Sequence, residues 1–184
     1  FRMLKDIRDG GIFVLNCSWD DSRLETQLPA HMKRSIALKK LDFYVIDAQA
    51  IARTVGLGVR VNMIMETVFF HLAGILPFDM AMAGLKKEIT ASYMHEGGDV
   101  VQKNLKAVDM AVGALRKVDI PASWGNETPY VVPAQSLPKG IPHDTKSFFS
   151  VISEPCLRLE GNGLPVSVFS PDGHMPMGTT AFEK

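Results

Sequence analysis

The segment Gly56-Leu57-Gly58-Val59-Arg60-Val61-Asn62 carries the residue types and spacing closest to a binding element. Two glycines let a backbone approach a ligand closely, and Arg60 offers a charged, planar fork. An apolar helix pattern begins directly afterwards, and the free N–H groups of a helix start attract phosphate and other anions. A purely structural reading fits the same spacing: Gly56 ends one helix, Asn62 caps the next, and Arg60 pairs with a carboxylate. Spacing alone favours this second reading. The pattern is neither a G-x-G-x-x-G fingerprint nor a P-loop.

Other reactive residues are more scattered. Asp47 follows an apolar run, where dinucleotide sites place the acid that holds a ribose. Without a glycine fingerprint upstream it reads instead as a helix cap. Glu66 and His71 fall in a helix expected to be buried, but five positions separate them, so they make no same-face metal pair. A buried Glu66 would need a hydrogen bond or an ion pair. His31, His95, His143 and His174 show no metal-ligand spacing, and no catalytic triad or nucleophile elbow is visible. Cys17 and Cys156 are the only two cysteines; two thiols cannot hold a four-cysteine iron–sulfur cluster.

The 184 residues carry 20 basic and 20 acidic groups, for a formal net charge of zero, and 46% of them are hydrophobic. That is enough for one core with additional chain. No basic stripe appears, which argues against nucleic acid or an anionic membrane as partner. The longest apolar stretch, Val61 to Leu76, is broken by polar residues and falls short of the roughly 20 residues a membrane span needs.

The elements that must position the loop follow from periodicity. Phe1 to Asp9 reads as the end of a helix stopped by Gly10-Gly11. Ile12-Phe13-Val14-Leu15 and Phe43-Tyr44-Val45-Ile46 are continuous apolar runs, typical of parallel strands covered on both faces. A helix opened by Pro29 lies between them, giving a right-handed βαβ crossover. Asp47 starts a short helix that ends at Gly56, and Val61 to Leu76 forms a central helix, apolar nearly all round. Phe78, Met82, Leu85, Ile89 and Tyr93 line one helix face, and Val101, Leu105, Val108, Val112 and Leu115 another, with Gly97-Gly98 between. Lys39-Lys40 and Lys86-Lys87 read as solvated faces. Between Pro121 and Pro142 five prolines predict extended or irregular chain that drapes over another surface. A short helix is expected at Phe148 to Leu159, an edge strand at Leu164 to Phe169, and a turn at Pro171-Asp172-Gly173. The expected fold class is therefore α/β: a partial doubly wound, Rossmann-like parallel sheet with long helices over residues 1–120, and an extended C-terminal connector over 121–184.

In order along nearly the whole chain, several blocks resemble the pyruvate:ferredoxin (flavodoxin) oxidoreductase family. They are Gly10 to Asn16, Leu28-Pro29 with Lys33-Arg34, Phe43 to Ala48, Gly56 to Met65, Phe69-Phe70, and Leu85-Lys86 with Ile89 and Tyr93. Asn104 to Asp109, Leu164 to Ser167, Pro171 to Gly173, and Gly178 to Lys184 complete the set. The similarity is to the C-terminal part of the gamma domain and the connector leading to the ferredoxin-like domain. Two departures stand out: Glu66 replaces the family's Gln, and Met94-His95-Glu96-Gly97-Gly98 replaces a glycine- and lysine-rich turn.

The resemblance implies a segment of an enzyme that converts pyruvate, coenzyme A and oxidised ferredoxin or flavodoxin to acetyl-CoA, carbon dioxide and the reduced carrier. It implies coenzyme A as the substrate contacted, with Gly58, Arg60 and Asn62 as candidate contacts. Thiamine diphosphate, Mg and 4Fe-4S clusters would be held elsewhere in the full enzyme, so the segment alone should be inactive. Other domains of the same enzyme, the ferredoxin or flavodoxin, and a second copy in a homodimer would be its partners. The location would be the cytoplasm, or an anaerobic organelle in a eukaryote. The alternative is a non-catalytic interaction module of the same fold in a sulfite-reductase-type or NADP-linked fusion protein. With part of its sheet supplied from elsewhere, the isolated chain should expose apolar edges and associate.

Overall fold

Two of the apolar runs form parallel strands, β1 (Ile12–Asn16) and β2 (Asp42–Ile46), in a register that sets Ile12 beside Asp42 and Asn16 beside Ile46. The computed structural model describes residues 3–129, 131 and 143–182. It divides into one unit spanning Ile7–Pro129 and a second that takes in the remaining chain.

Between the strands run α1 (Asp21–Gln27) and α2 (Ala30–Leu38). The periodic reading found only α2, directly after Pro29. The signal for α1 is its cap: Asp20 accepts a hydrogen bond from the Arg23 backbone N–H at 2.8 Å. After β2 come α3 (Ala48–Val55), α4 (Asn62–Ala73), α5 (Phe78–Tyr93) and α6 (Gly98–Ala111). A two-residue strand, β3 (Arg116–Lys117), then pairs antiparallel to β2, giving the order β1-β2-β3. The expected helix through Leu115 stops at Ala111 and passes through a 3-10 turn at Val112–Ala114. That shortening frees Arg116 and Lys117 to extend the sheet, where Lys117 reaches Asp42 at 2.5 Å.

The main core joins β2, α3, α4 and α6 through Ile46, Ile51, Val55, Ile64, Val68 and Ala107. A second cluster, Leu85, Ile89, Val101 and Val108, seals α5 against α6 along the predicted faces, with Met82 and Tyr93 at its margin. The strands present aromatic rings on another side: Phe13 stacks on Phe43 at 5.3 Å, and Phe43 meets the buried Trp124 at 6.4 Å.

Three further expectations are corrected. Among the described residues, those before Gly10 form turns and bends rather than a helix end. Gly10 adopts φ +69° in a turn, where its N–H bonds the Lys39 carbonyl and leads the chain into β1. Lys39 is not merely solvated, because its ammonium donates to the Ile7 carbonyl at 2.6 Å. The α4 helix is less central than its composition suggests. It buries Ile64, Thr67 and Val68, but Phe69 is 55% exposed, Glu66 is half-buried and His71 faces solvent. The physical reason is that, among the described residues, β1 has a strand on one side only, so the α4 face beside it is uncovered. A groove of about 300 Å³ remains there, lined by Ile12, Val14, Met65, Val68, Phe69 and Leu72.

In the second unit, α7 (His143–Phe148), a π-helical turn (Phe149–Ser153) and α8 (Glu154–Leu157) make one continuous helical run, which starts earlier than predicted. The edge strand expected at Leu164 to Phe169 is a 3-10 turn at Val166–Val168, because Val168 and Phe169 bond back to the Pro165 and Val166 carbonyls. The predicted turn at Pro171-Asp172-Gly173 is present, with Gly173 at φ +72°. These irregular residues fold back on one another. The buried Thr145 hydroxyl donates to the Met177 carbonyl at 2.7 Å, and Phe149 stacks on Phe182 at 4.0 Å. Among the described residues, no helix is long and apolar enough to cross a membrane.

Candidate functional site

The loop between α3 and α4 is built by capping chemistry. At the start of α3, Asp47 accepts the Ala50 N–H at 2.8 Å and Asn16 accepts the Ala48 N–H at 3.0 Å. Asp47 is thus a helix cap, and two of the free N–H donors at the α3 N-terminus are satisfied by side chains. At the other end of α3, Gly56 takes φ +80°, and the Gly56 and Leu57 N–H groups return to the Arg53 and Ala52 carbonyls. This pair of bonds is a Schellman motif, which needs a left-handed residue at Gly56. Gly58 is also left-handed, at φ +65°, and a Cβ there would meet no atom within 4 Å. Its backbone is therefore open to approach.

The loop closes with the Arg60 N–H bonded to the Leu57 carbonyl, and α4 starts at Asn62. Val61 occupies the cap position and contributes no side-chain bond, so the first N–H groups of α4 are left without a side-chain partner. Asn62 is not the cap that the structural reading expected: its amide donates to the Tyr93 hydroxyl at 3.2 Å. Arg60 does pair with a carboxylate, that of Glu96 at 2.8 Å, which raises the already high pKa of the guanidinium. Gly58 and Arg60 thus lie in the loop and Asn62 opens α4, and the two polar ones are partnered by Tyr93 at the end of α5 and by Glu96 in the 3-10 turn after it. Sequence reasoning missed Lys103. Its alkyl chain lies against Gly56, where a Cβ would stand 3.3 Å from its Cε, and its ammonium pairs with Asp99 at 2.5 Å. An (i, i+4) spacing from Asp99 was the available signal.

Cys17 and Cys156 are both free, and as the chain's only cysteines they do not fit the donor set of a four-cysteine cluster. Among the described residues, no group of three or more His, Cys, Asp or Glu side chains is placed to hold a metal ion.

Comparison with known proteins gives the loop its context. The family model for pyruvate ferredoxin/flavodoxin oxidoreductase matches residues 1–114, and a model described as a domain of unknown function, EKR, matches residues 134–184. A pyruvate:ferredoxin oxidoreductase from Moorella thermoacetica is 40% identical over 184 residues, covering all of this chain and 15% of that protein. A pyruvate-flavodoxin oxidoreductase from Enterobacter agglomerans is 40% identical over 186 residues, again covering 100% of this chain and 15% of the relative. A pyruvate dehydrogenase [NADP(+)] from Cryptosporidium parvum is 38% identical over 204 residues, covering 100% of this chain and 10% of its own length. The chain therefore spans only about a tenth to a seventh of the relatives it matches, and it belongs to the pyruvate ferredoxin/flavodoxin oxidoreductase family.

Proposed function

We propose that this chain is a segment of a pyruvate oxidoreductase and that its Gly56–Asn62 loop contacts coenzyme A. The whole enzyme would convert pyruvate, coenzyme A and two oxidised one-electron carriers to acetyl-CoA, carbon dioxide, a proton and two reduced carriers. The observation that carries the reading is 40% identity along the full chain to enzymes named for pyruvate and ferredoxin or flavodoxin. The geometry is compatible with it. A left-handed Gly58, the Arg60 guanidinium and an α4 start without a side-chain cap converge on one loop, and such a group suits phosphate. In this reading, thiamine diphosphate, Mg and the iron–sulfur clusters belong to other parts of the enzyme. Its other domains, a ferredoxin or flavodoxin, and a second copy in a homodimer are the partners. The compartment is the cytoplasm or an anaerobic organelle.

A non-catalytic interaction module finds no support in the relatives' names, since the NADP-linked one is itself named a pyruvate dehydrogenase. The test is Arg60→Ala in the full-length oxidoreductase. Losing a charge-assisted contact should raise KM for coenzyme A about tenfold while KM for pyruvate stays within about twofold. Unchanged coenzyme A kinetics would remove Arg60 from the site.

A further inference from the structure

The polar partners around the Gly56–Asn62 loop come from one short stretch of chain. Tyr93, the last residue of α5, accepts from Asn62; Glu96, in the following 3-10 turn, holds Arg60; and Asp99, in the first turn of α6, holds Lys103. Arg60 and Lys103 flank the loop at its two ends, and each cation is neutralised by a carboxylate of the α5–α6 junction. We propose that this junction is an intramolecular competitor for the anion: a phosphate-bearing ligand reaches Arg60 and Lys103 by displacing Glu96 and Asp99. Lys103 is then the second cationic contact. The inference rests on the coenzyme A reading and adds to it the groups that set the affinity.

Both ion pairs are partly open to solvent, with side-chain exposures of 54% and 34% for Arg60 and Glu96. Exposed pairs are weak and screened, so opening them costs little. Asp99 keeps a favourable partner even when Lys103 leaves, because it lies in the first turn of a helix and faces the positive end of its dipole. Gly97, at φ +108°, separates Glu96 from α6, in a conformation that glycine alone adopts readily. A diphosphate, in turn, offers Arg60 two oxygens in the geometry that a guanidinium fork prefers.

The test is calorimetric titration of the full-length oxidoreductase with coenzyme A and, as a minimal probe, inorganic pyrophosphate. Glu96→Gln removes the competing charge and should tighten binding about two- to fivefold, with Asp99→Asn shifting it in the same direction. Lys103→Met should weaken it, and Arg60→Ala/Glu96→Gln should bind no tighter than Arg60→Ala. If Arg60→Ala weakens binding but both Glu96→Gln and Asp99→Asn leave it unchanged or weaker, the competitor role is wrong and the coenzyme A reading survives. If Arg60→Ala binds coenzyme A like the parent enzyme, that reading falls, and the competitor role falls with it.

Discussion

The indole N–H of Trp124 donates to the Glu25 carboxylate at 2.5 Å, joining residues 99 positions apart. Lys33, only 7% exposed, completes the clasp by reaching Glu25 at 3.1 Å and Glu127 at 2.5 Å. Next to it Arg34 donates to the Gly125 carbonyl at 2.7 Å. Two adjacent cations on α2 thus pin the 3-10 turn at Ala122–Asn126 over the aromatic pair Phe13 and Phe43.

Removing the shared cation should loosen that turn. Lys33→Met leaves the carboxylates of Glu25 and Glu127 near each other with no charge between them. Amide hydrogen exchange of Ala122–Asn126 in the full-length enzyme should quicken on the order of tenfold, as expected for loss of a hydrogen bond to a charged group. Trp124→Phe, which keeps a ring but loses the donor, should have a smaller effect. Exchange at the parent rate in Lys33→Met would show that packing alone holds the turn.

The clasp also has a defined pH window. Hydrogen bonds from Trp124 and then Lys33 hold the Glu25 pKa below the ordinary glutamate value of 4.5, while Glu127, then Glu25, raise Lys33 above the ordinary lysine value of 10.5. A depressed carboxylate contributes stability that is present above about pH 4.5 and fades as pH falls through the lowered folded value. A raised lysine contributes below about pH 10.5 and fades as pH rises through the raised one. Fluorescence of Trp124 in a Trp19→Phe background should therefore hold constant between those limits and shift to the red only outside them. A transition near neutrality would contradict this assignment.

The two loop glycines should respond unequally to alanine. Both are left-handed, which costs a residue with a Cβ about 1–2 kcal/mol. At Gly56 the new methyl would also stand 3.3 Å from Lys103 Cε, whereas at Gly58 it meets nothing within 4 Å. Gly56→Ala should lower the thermal midpoint more than Gly58→Ala. Gly58→Ala should act chiefly on coenzyme A affinity in the full-length enzyme.

The groove beside β1 gives the isolated chain a sticky edge. Its lining, with Ile12 at 42% exposure and Phe69 at 55%, should bind an apolar dye and drive concentration-dependent association. Phe69→Gln should reduce both dye fluorescence and the associated fraction in sedimentation. A monodisperse parent chain that binds no dye would refute this.

The amino-acid sequence determined what is decided within a few neighbouring residues. Apolar runs placed β1 and β2, Asp47 and Gly56 bounded α3, and the four-and-three spacing of Phe78 to Tyr93 set the buried face of α5, because caps and periodicity act over one or two helical turns. The Gly56–Asn62 loop was legible for the same reason. Its partners were not: Arg60 meets Glu96 across 36 residues and Trp124 meets Glu25 across 99, and no local signal encodes such pairings. Tertiary assembly also decided that α4 buries one stripe rather than its whole surface, because burial depends on which neighbour covers a face as well as on how apolar it is. It likewise turned Val166–Val168 into a 3-10 turn: a strand needs a partner edge, and among the described residues Val168 and Phe169 bond back within their own segment.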